Sequence, residues 1–204
     1  MNIEKNAFNG PSGSRFYFLR HGETEHNLRK LYSDDPNVPL NRQGRRQARA
    51  LRDLLEPLAI ATVCSSPLLR AQQTKEIALA DLAFEEVVVE ELKECPAALW
   101  RLFLASESRL LSRPEQQRIL AFFKLAEGAL RKILSCRPPL LVVAHGGTYW
   151  AFSHLLKLEG ARKIGNCSLV ELFCDEKNRW QTKLLSSKPA DRKKRPFEIE
   201  TPGR

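Results

Sequence analysis

The chain has 204 residues, 43% of them hydrophobic, and a formal net charge of +9. That length buries a sizeable core without disulfide or metal staples and suits one globular domain with at most a small insertion. No apolar run approaches the roughly 18 residues that a bilayer span requires, and the opening "MNIEKNAFNGPSGSR" lacks the apolar stretch of a secretory signal. A cytoplasmic protein with no membrane partner is expected. Its 33 Lys and Arg against 24 Asp and Glu favour anionic partners.

Residues 1–14 are rich in Gly, Ser and Asn and are expected to be disordered. "RFYFL" (15–19) is short, aromatic and bounded by turn formers, as a buried strand is. It runs into Arg20-His21-Gly22, two cations where an apolar segment ends. A charge in that position is costly unless the strand surfaces there or something offsets it. "YSDDPNVP" (32–39) reads as loop. Asn41 caps a helix expected to run to about Glu56, with Ala48, Leu51, Leu55 and Leu58 on one face. "IATVCS" (60–65) is a second strand, and Ser66-Pro67 reads as cap and first residue of the next helix.

"EVVVE" (86–90) is a third strand. Residues 113–135 form a long amphipathic helix beginning at Pro114, "PPLLVVAH" (138–145) is a fourth buried strand, and a helix follows Gly146-Gly147 to about Leu158. "SLVELFC" (168–174) and "RWQTKLL" (179–185) read as a closing hairpin. The tail 188–204 has six basic and three acidic residues, +3 of the +9, and is expected to be a flexible end. Cys64, Cys95, Cys136, Cys167 and Cys174 are odd in number and lack two-residue spacing, which favours reduced, mostly buried thiols.

Alternating strands and helices predict an α/β fold, a three-layer sandwich whose largely parallel sheet is flanked by helices. Such sheets bind ligands beyond the carboxyl ends of their strands. That edge would collect Arg20 and His21, then Ser65-Ser66 leading to Arg70, then His145, with the third strand ending near Glu94. A tetrahedral phosphoryl group suits this set. Arginine offers forked donors, and Arg70 lies in the first turn of a helix, where free N–H groups also favour an anion. Gly22 and Gly146 allow close backbone approach. A neutral imidazole can attack phosphorus; neighbouring arginines keep His21 neutral; a carboxyl can move the protons. The scheme needs no metal and no cofactor.

"LRHGETEHN" resembles the signature of the histidine phosphatase superfamily, the phosphoglycerate mutase-like branch 1. "PLNRQGRRQARAL", "VCSSPLLRAQQT", "ELKE", "LLVVAHGG" and "IGNCSLVEL" resemble further family segments in the same order, over roughly residues 15–185. The resemblance implies His21 as phosphorylated nucleophile, with Arg20, Arg70 and His145 forming its phosphate pocket. Asn27 and Gly146 join the phosphate-binding set, and Glu94 is the acid/base carboxylate, with Glu90 and Glu91 as rivals in "EELKE". Asn41 stands where the family has threonine, and "CPAALW" where it has a Gly-rich segment. Only 51 positions separate Glu94 from His145, a small helical cap at about 95–137 that fits phosphatases better than mutases.

The expectation is a single domain over 15–187 that hydrolyses small phosphate monoesters through phospho-His21. The alternatives are a phosphoglycerate-type mutase and a catalytically silent phospholigand-binding module. Nucleic acid binding rests on charge alone, and the sequence assigns no oligomeric state. Taken singly, the residues have plainer readings: His145 as a core histidine, Arg70 and the arginines at 42–52 as solvated helix charges, Glu23 and Glu25 as local hydrogen-bond formers. His26 and His154 match nothing. Trp100, Phe103 and Leu104 are expected to pack within the cap; facing the pocket instead, they would call for an apolar or aromatic substrate group.

Overall fold

The computed structural model describes residues 8, 13–100, 112–159 and 163–186. Strands β1 (Arg15–Arg20), β2 (Thr62–Ser65), β3 (Glu85–Val88), β4 (Leu140–Ala144), β5 (Leu169–Cys174) and β6 (Trp180–Ser186) form one sheet in the order β3-β2-β4-β1-β5-β6. The first four in that order are mutually parallel; β5 and β6 add antiparallel on the far side of β1. The helices are α1 (Glu25–Leu28), α2 (Arg42–Arg49), α3 (Arg52–Leu55), α4 (Leu69–Ala78), α5 (described over 97–100), α6 (Arg113–Leu134) and α7 (Gly146–Leu155).

Strand periodicity divides the core into two. Successive side chains of β1 point to opposite faces. Phe16 and Phe18 join Leu140 and Val142 of β4 under α6 and α7, while Tyr17 and Leu19 join Leu141 and Val143 under α2, α3 and α4. Phe16 and Phe18 meet Phe152 edge-to-face at ring separations of 6.3 and 5.9 Å. Burying each of these phenylalanines contributes about 1.5–3 kcal/mol. Both faces of β1 and β4 are thus covered, which is why their sequences are continuously apolar rather than alternating.

Several boundaries differ from the expectation. The helix after Asn41 is interrupted at Ala50-Leu51, where the Leu51 N–H turns to the Ala48 carbonyl at 3.1 Å. This tightened turn lets both Leu51 and Leu55 face inward. Helix α4 starts at Leu69, not Pro67, with Leu68 extended as its N-cap and no side-chain capping bond. Helix α7 stops at Leu155: Lys157 adopts a left-handed φ of 52° and the Leu158 N–H closes back on the Ser153 carbonyl at 2.8 Å. Helix α6 has a capping box, Ser112 with Glu115, ahead of Pro114.

Within the segment 1–14, Phe8 packs against the main core and donates its N–H to the Leu155 carbonyl at 3.0 Å. Phe103, Leu104, the middle of the expected cap and the tail from 187 lie outside the described residues. Among the described residues no helix is long and apolar enough to cross a membrane. Cys64, Cys95, Cys167 and Cys174 are buried, and burial beside Cys136 pushes the Cys64 thiol up to about 12.

One contact fixes the loop after β1 against α2. A Cβ built on Gly44 would stand 2.1 Å from the Glu23 carbonyl oxygen, and one on Gly22 would stand 2.7 Å from the Gly44 oxygen. Alanine improves an exposed helix by about 1 kcal/mol over glycine, but here it collides with backbone, and overpacking costs about 1–3 kcal/mol. Gly44→Ala is therefore expected to lower stability by about 1–2 kcal/mol in chemical denaturation, despite the better helix former; an unchanged or raised midpoint would contradict this contact.

Candidate active site

The carboxyl ends of β1, β2 and β4 lie side by side, and their following residues converge. Leaving β1, His21 donates its backbone N–H to Ala144 at 3.0 Å, which sets the end of β1 against the end of β4. The two imidazoles, His21 and His145, are buried with ring centroids 5.1 Å apart. Ligating atoms of His21, His145 and Glu94 all lie within 4.8 Å of one another. Arg20 and Arg70 are close enough to both imidazoles to depress their basicity.

Hydrogen bonds fix the rings. Nδ1 of His21 lies 2.7 Å from the Gly22 carbonyl oxygen. A carbonyl only accepts, so Nδ1 carries the proton and Nε2 keeps its lone pair. Gly22 is held in turn by Thr74: its N–H donates to Thr74 Oγ1 at 2.9 Å, and that hydroxyl donates to the Arg70 carbonyl at 2.6 Å. His145 Nε2 lies 2.7 Å from Ser66 Oγ. Its Nδ1 is buried with no partner among the described residues.

The cations are held by carbonyls rather than carboxylates. Arg20 Nη1 donates to Ile164 at 2.6 Å, and Arg70 Nη1 to Asp35 at 3.5 Å. Arg20 Nε is buried and unpartnered among the described residues. Glu94 Oε1 accepts from the Cys95 and Gly147 N–H groups at 2.8 and 2.9 Å. Glu94 lies beyond the strand, past a 3-10 turn at Glu90–Leu92 anchored by buried Leu92. Its rivals are engaged elsewhere, Glu90 with Lys93 and Glu91 with Lys132.

Burial, then the Arg20 and Arg70 charges, hold His21 well below the ordinary imidazole range. Burial likewise depresses His145, helped by His21 and both arginines. Burial raises the Glu94 carboxyl against the pull of Arg20, two N–H groups and Arg70. Glu94 faces both guanidinium charges and Asp35 adds a weaker pull on Arg70, while burial and the guanidiniums favour neutral imidazoles. The His21–Glu94–His145 triplet has the spacing of a metal site, but the adjoining arginines make the pocket electropositive, which suits an anion over a cation.

Asn27, read from sequence as a phosphate ligand, sits in a capping box with Thr24, and its Oδ1 also accepts from Asn166 Nδ2 at 3.0 Å. The three donors on its oxygen turn the amide NH2 outward as the group left for an acceptor. Gly146 is the first residue of α7 and lies beside the Arg20 guanidinium, where a Cβ would make an ordinary 3.5 Å contact. The glycine with no room is Gly147, where a Cβ would stand 2.4 Å from Glu94 Oε1.

Sequence reasoning placed Ser66 at this edge without a role and missed three supports: Thr74, Gly147 and Asn166, whose Nδ2 also donates to the His21 carbonyl at 3.1 Å. Asn166 had a signal. A strand antiparallel to β1 must begin where β1 ends, so the residues before β5 share the edge with His21.

The pattern of the histidine phosphatase superfamily (branch 1) matches residues 16–187. Over 88 residues the chain is 35% identical to the adenosylcobalamin/alpha-ribazole phosphatase of Escherichia coli strain K12, an alignment covering 43% of each, less than half of that relative's length. It is 27% identical over 182 residues to an uncharacterized phosphatase, PhoE, of Bacillus subtilis strain 168, covering 81% of this chain and 90% of the relative. Among solved structures, a phosphoserine phosphatase from Entamoeba histolytica in complex with 3-phosphoglyceric acid superposes with a TM-score of 0.63 at 21% identity, covering 84% of this chain and 95% of that one. That likeness speaks for the fold. With the family pattern running almost the whole length of the sheet, from Phe16 in β1 to just past β6, the chain belongs to the histidine phosphatase superfamily, branch 1.

Proposed function

We propose that this chain, with residues 15–187 as its working domain, hydrolyses small phosphate monoesters through a phosphohistidine on His21. The feature that carries this reading is an imidazole whose Nδ1 proton is tied to Gly22, beside two guanidiniums whose donors are met by the Ile164 and Asp35 carbonyls.

In the first step the Nε2 lone pair of His21 attacks phosphorus and the ester P–O bond breaks. Arg20, Arg70 and His145 hold the non-bridging oxygens, with the Asn27 amide and the Gly146 N–H at the margin. Glu94, whose carboxyl burial pushes upward, gives its proton to the leaving oxygen. In the second step water attacks phosphorus, Glu94 takes its proton, and the N–P bond breaks to release inorganic phosphate. The raised Glu94 carboxyl supports turnover over a silent phospholigand module. The 51 positions between Glu94 and His145 favour hydrolysis over a mutase. Each proton and electron pair is accounted for without a metal, so a chelator is expected to leave turnover intact.

His145 has a specific part in this scheme. A neutral histidine offers a phosphate oxygen a donor only from its protonated nitrogen. Ser66 Oγ accepts the Leu68 N–H at 3.3 Å, so its own hydrogen is available for His145 Nε2. That arrangement leaves the proton on the otherwise unpartnered Nδ1, facing the anion. Ser66 is then a positioning residue that selects the tautomer.

Three outcomes are expected. Rapid acid-free quenching with a radiolabelled ester labels the wild type with base-stable, acid-labile phosphate and leaves His21→Ala unlabelled, with turnover down at least about 1,000-fold; wild-type turnover by His21→Ala would sink the mechanism. The rate of phosphoenzyme formation persists as pH falls through about 6.5, because the His21 imidazole is depressed below that ordinary value. It declines as pH rises through the Glu94 pKa, which lies above its ordinary range. Glu94→Gln removes this alkaline limb and slows alkyl esters far more than aryl esters, whose leaving oxygens need no proton. Ser66→Ala lowers kcat on the order of 10- to 100-fold, the scale of a misoriented reacting group, and shifts the nitrogen NMR signals of His145 toward mixed tautomers. Unaltered tautomer signals would remove Ser66 from this role.

A further inference from the structure

Beside the anion site, the loop between α1 and α2 and the segment after Glu94 are latched together. The loop between α1 and α2 reaches the anion site through Asp35, whose carbonyl lies 3.5 Å from Arg70 Nη1. The preceding residue, Asp34, accepts the Ala97 N–H on Oδ1 at 2.8 Å and so pins α5 to the loop. Ala97 follows Glu94 by three positions. Both segments are therefore anchored to groups that touch or flank the phosphate pocket.

Each segment contributes one aromatic ring, and the rings meet. Tyr32 and Trp100 lie with centroids 6.2 Å apart and planes inclined by 32°. Trp100 is half-buried, with its side chain backed by the main core. Tyr32 is 43% exposed. Three positions of chain, at most about 11 Å, separate Tyr32 from Asp35, whose carbonyl meets Arg70, which ties the ring pair to the side of the anion site. An exposed tyrosine held against a core-backed tryptophan offers a flat apolar ledge beside a polar pocket, the pairing that small-molecule sites use to fix orientation.

We propose that Tyr32 and Trp100 form a platform for the leaving group, and that the preferred substrates carry a planar aromatic or similarly flat apolar group a few bonds from the phosphate. This rests on the phosphatase reading above and deepens it. Rings on the platform gain by offset or edge contact with Tyr32, while Trp100 holds Tyr32 in place. Discrimination by such contacts is modest, about 3- to 10-fold for one ring.

The test compares 2-phenylethyl phosphate with ethyl phosphate. Their leaving alcohols are of nearly equal acidity, so the ratio of kcat/KM values reports recognition of the ring and not leaving-group chemistry. The wild type is expected to favour the phenylethyl ester at least about 3-fold, and Tyr32→Ala, on an exposed loop, to reduce that ratio toward one. Tyr32→Phe keeps the ring and is expected to keep the preference; Trp100→Leu, which retains apolar bulk against the core, lowers it. A wild-type ratio near one, or a preference that survives Tyr32→Ala, overturns the platform while leaving the phosphatase reading intact. Hydrolysis of neither ester removes the phosphatase reading, and the platform with it.

Discussion

Two guanidinium groups share one pocket at the edge of the sheet, and the fold compensates them only in part. Arg20 and Arg70 receive backbone carbonyls, from Ile164 and Asp35, and Glu94, the carboxyl that acts on both, is pushed toward its neutral form by burial. Uncompensated charge in low dielectric is expensive. The remainder of the structure bears that cost through the two fully covered faces of β1 and β4 and the hydrogen bonds clamping the loops beyond them. Burial first, and these guanidiniums with it, hold both imidazoles below their ordinary range. A pocket with this excess of positive charge suits an anion.

Much of the arrangement was legible from residues 15–21 and 138–145. Their apolar runs read as strands covered on both faces, and the rule that parallel strands present ligands at their carboxyl ends brought His21, Arg70 and His145 together before any coordinates. Glu94 was one of three candidates in "EELKE", and local sequence could not choose. The choice depends on Lys93 and Lys132 engaging the other two, and Lys132 lies on α6, far along the chain.

Where local rules misled, a tertiary partner was in play. Ser66-Pro67 has the chemistry of a helix start, but Leu68 stays extended and the helix begins at Leu69, while Ser66 Oγ meets both the Leu68 N–H and the distant His145 Nε2. Gly146 and Gly147 are equivalent on paper. Only the approach of Glu94 makes the second one indispensable. Thr74 reads as an ordinary helical residue until the loop from β1 folds back onto it. Each of these residues is set by an atom more than 50 positions away, beyond the range of capping or periodicity.

The order of the chain has a consequence for how the molecule is made. β1 is made before either of its sheet partners, and it hydrogen-bonds only to β4 and β5, with Tyr17 facing Leu141 and Glu171. The backbone around His21 is then closed by Asn166 and Cys167. Such long-range pairings form late and slowly. Until β4 has been translated β1 has no partner on one side, and until β5 follows, to about residue 174, it has none on the other and the backbone at His21 lacks its Asn166 and Cys167 contacts.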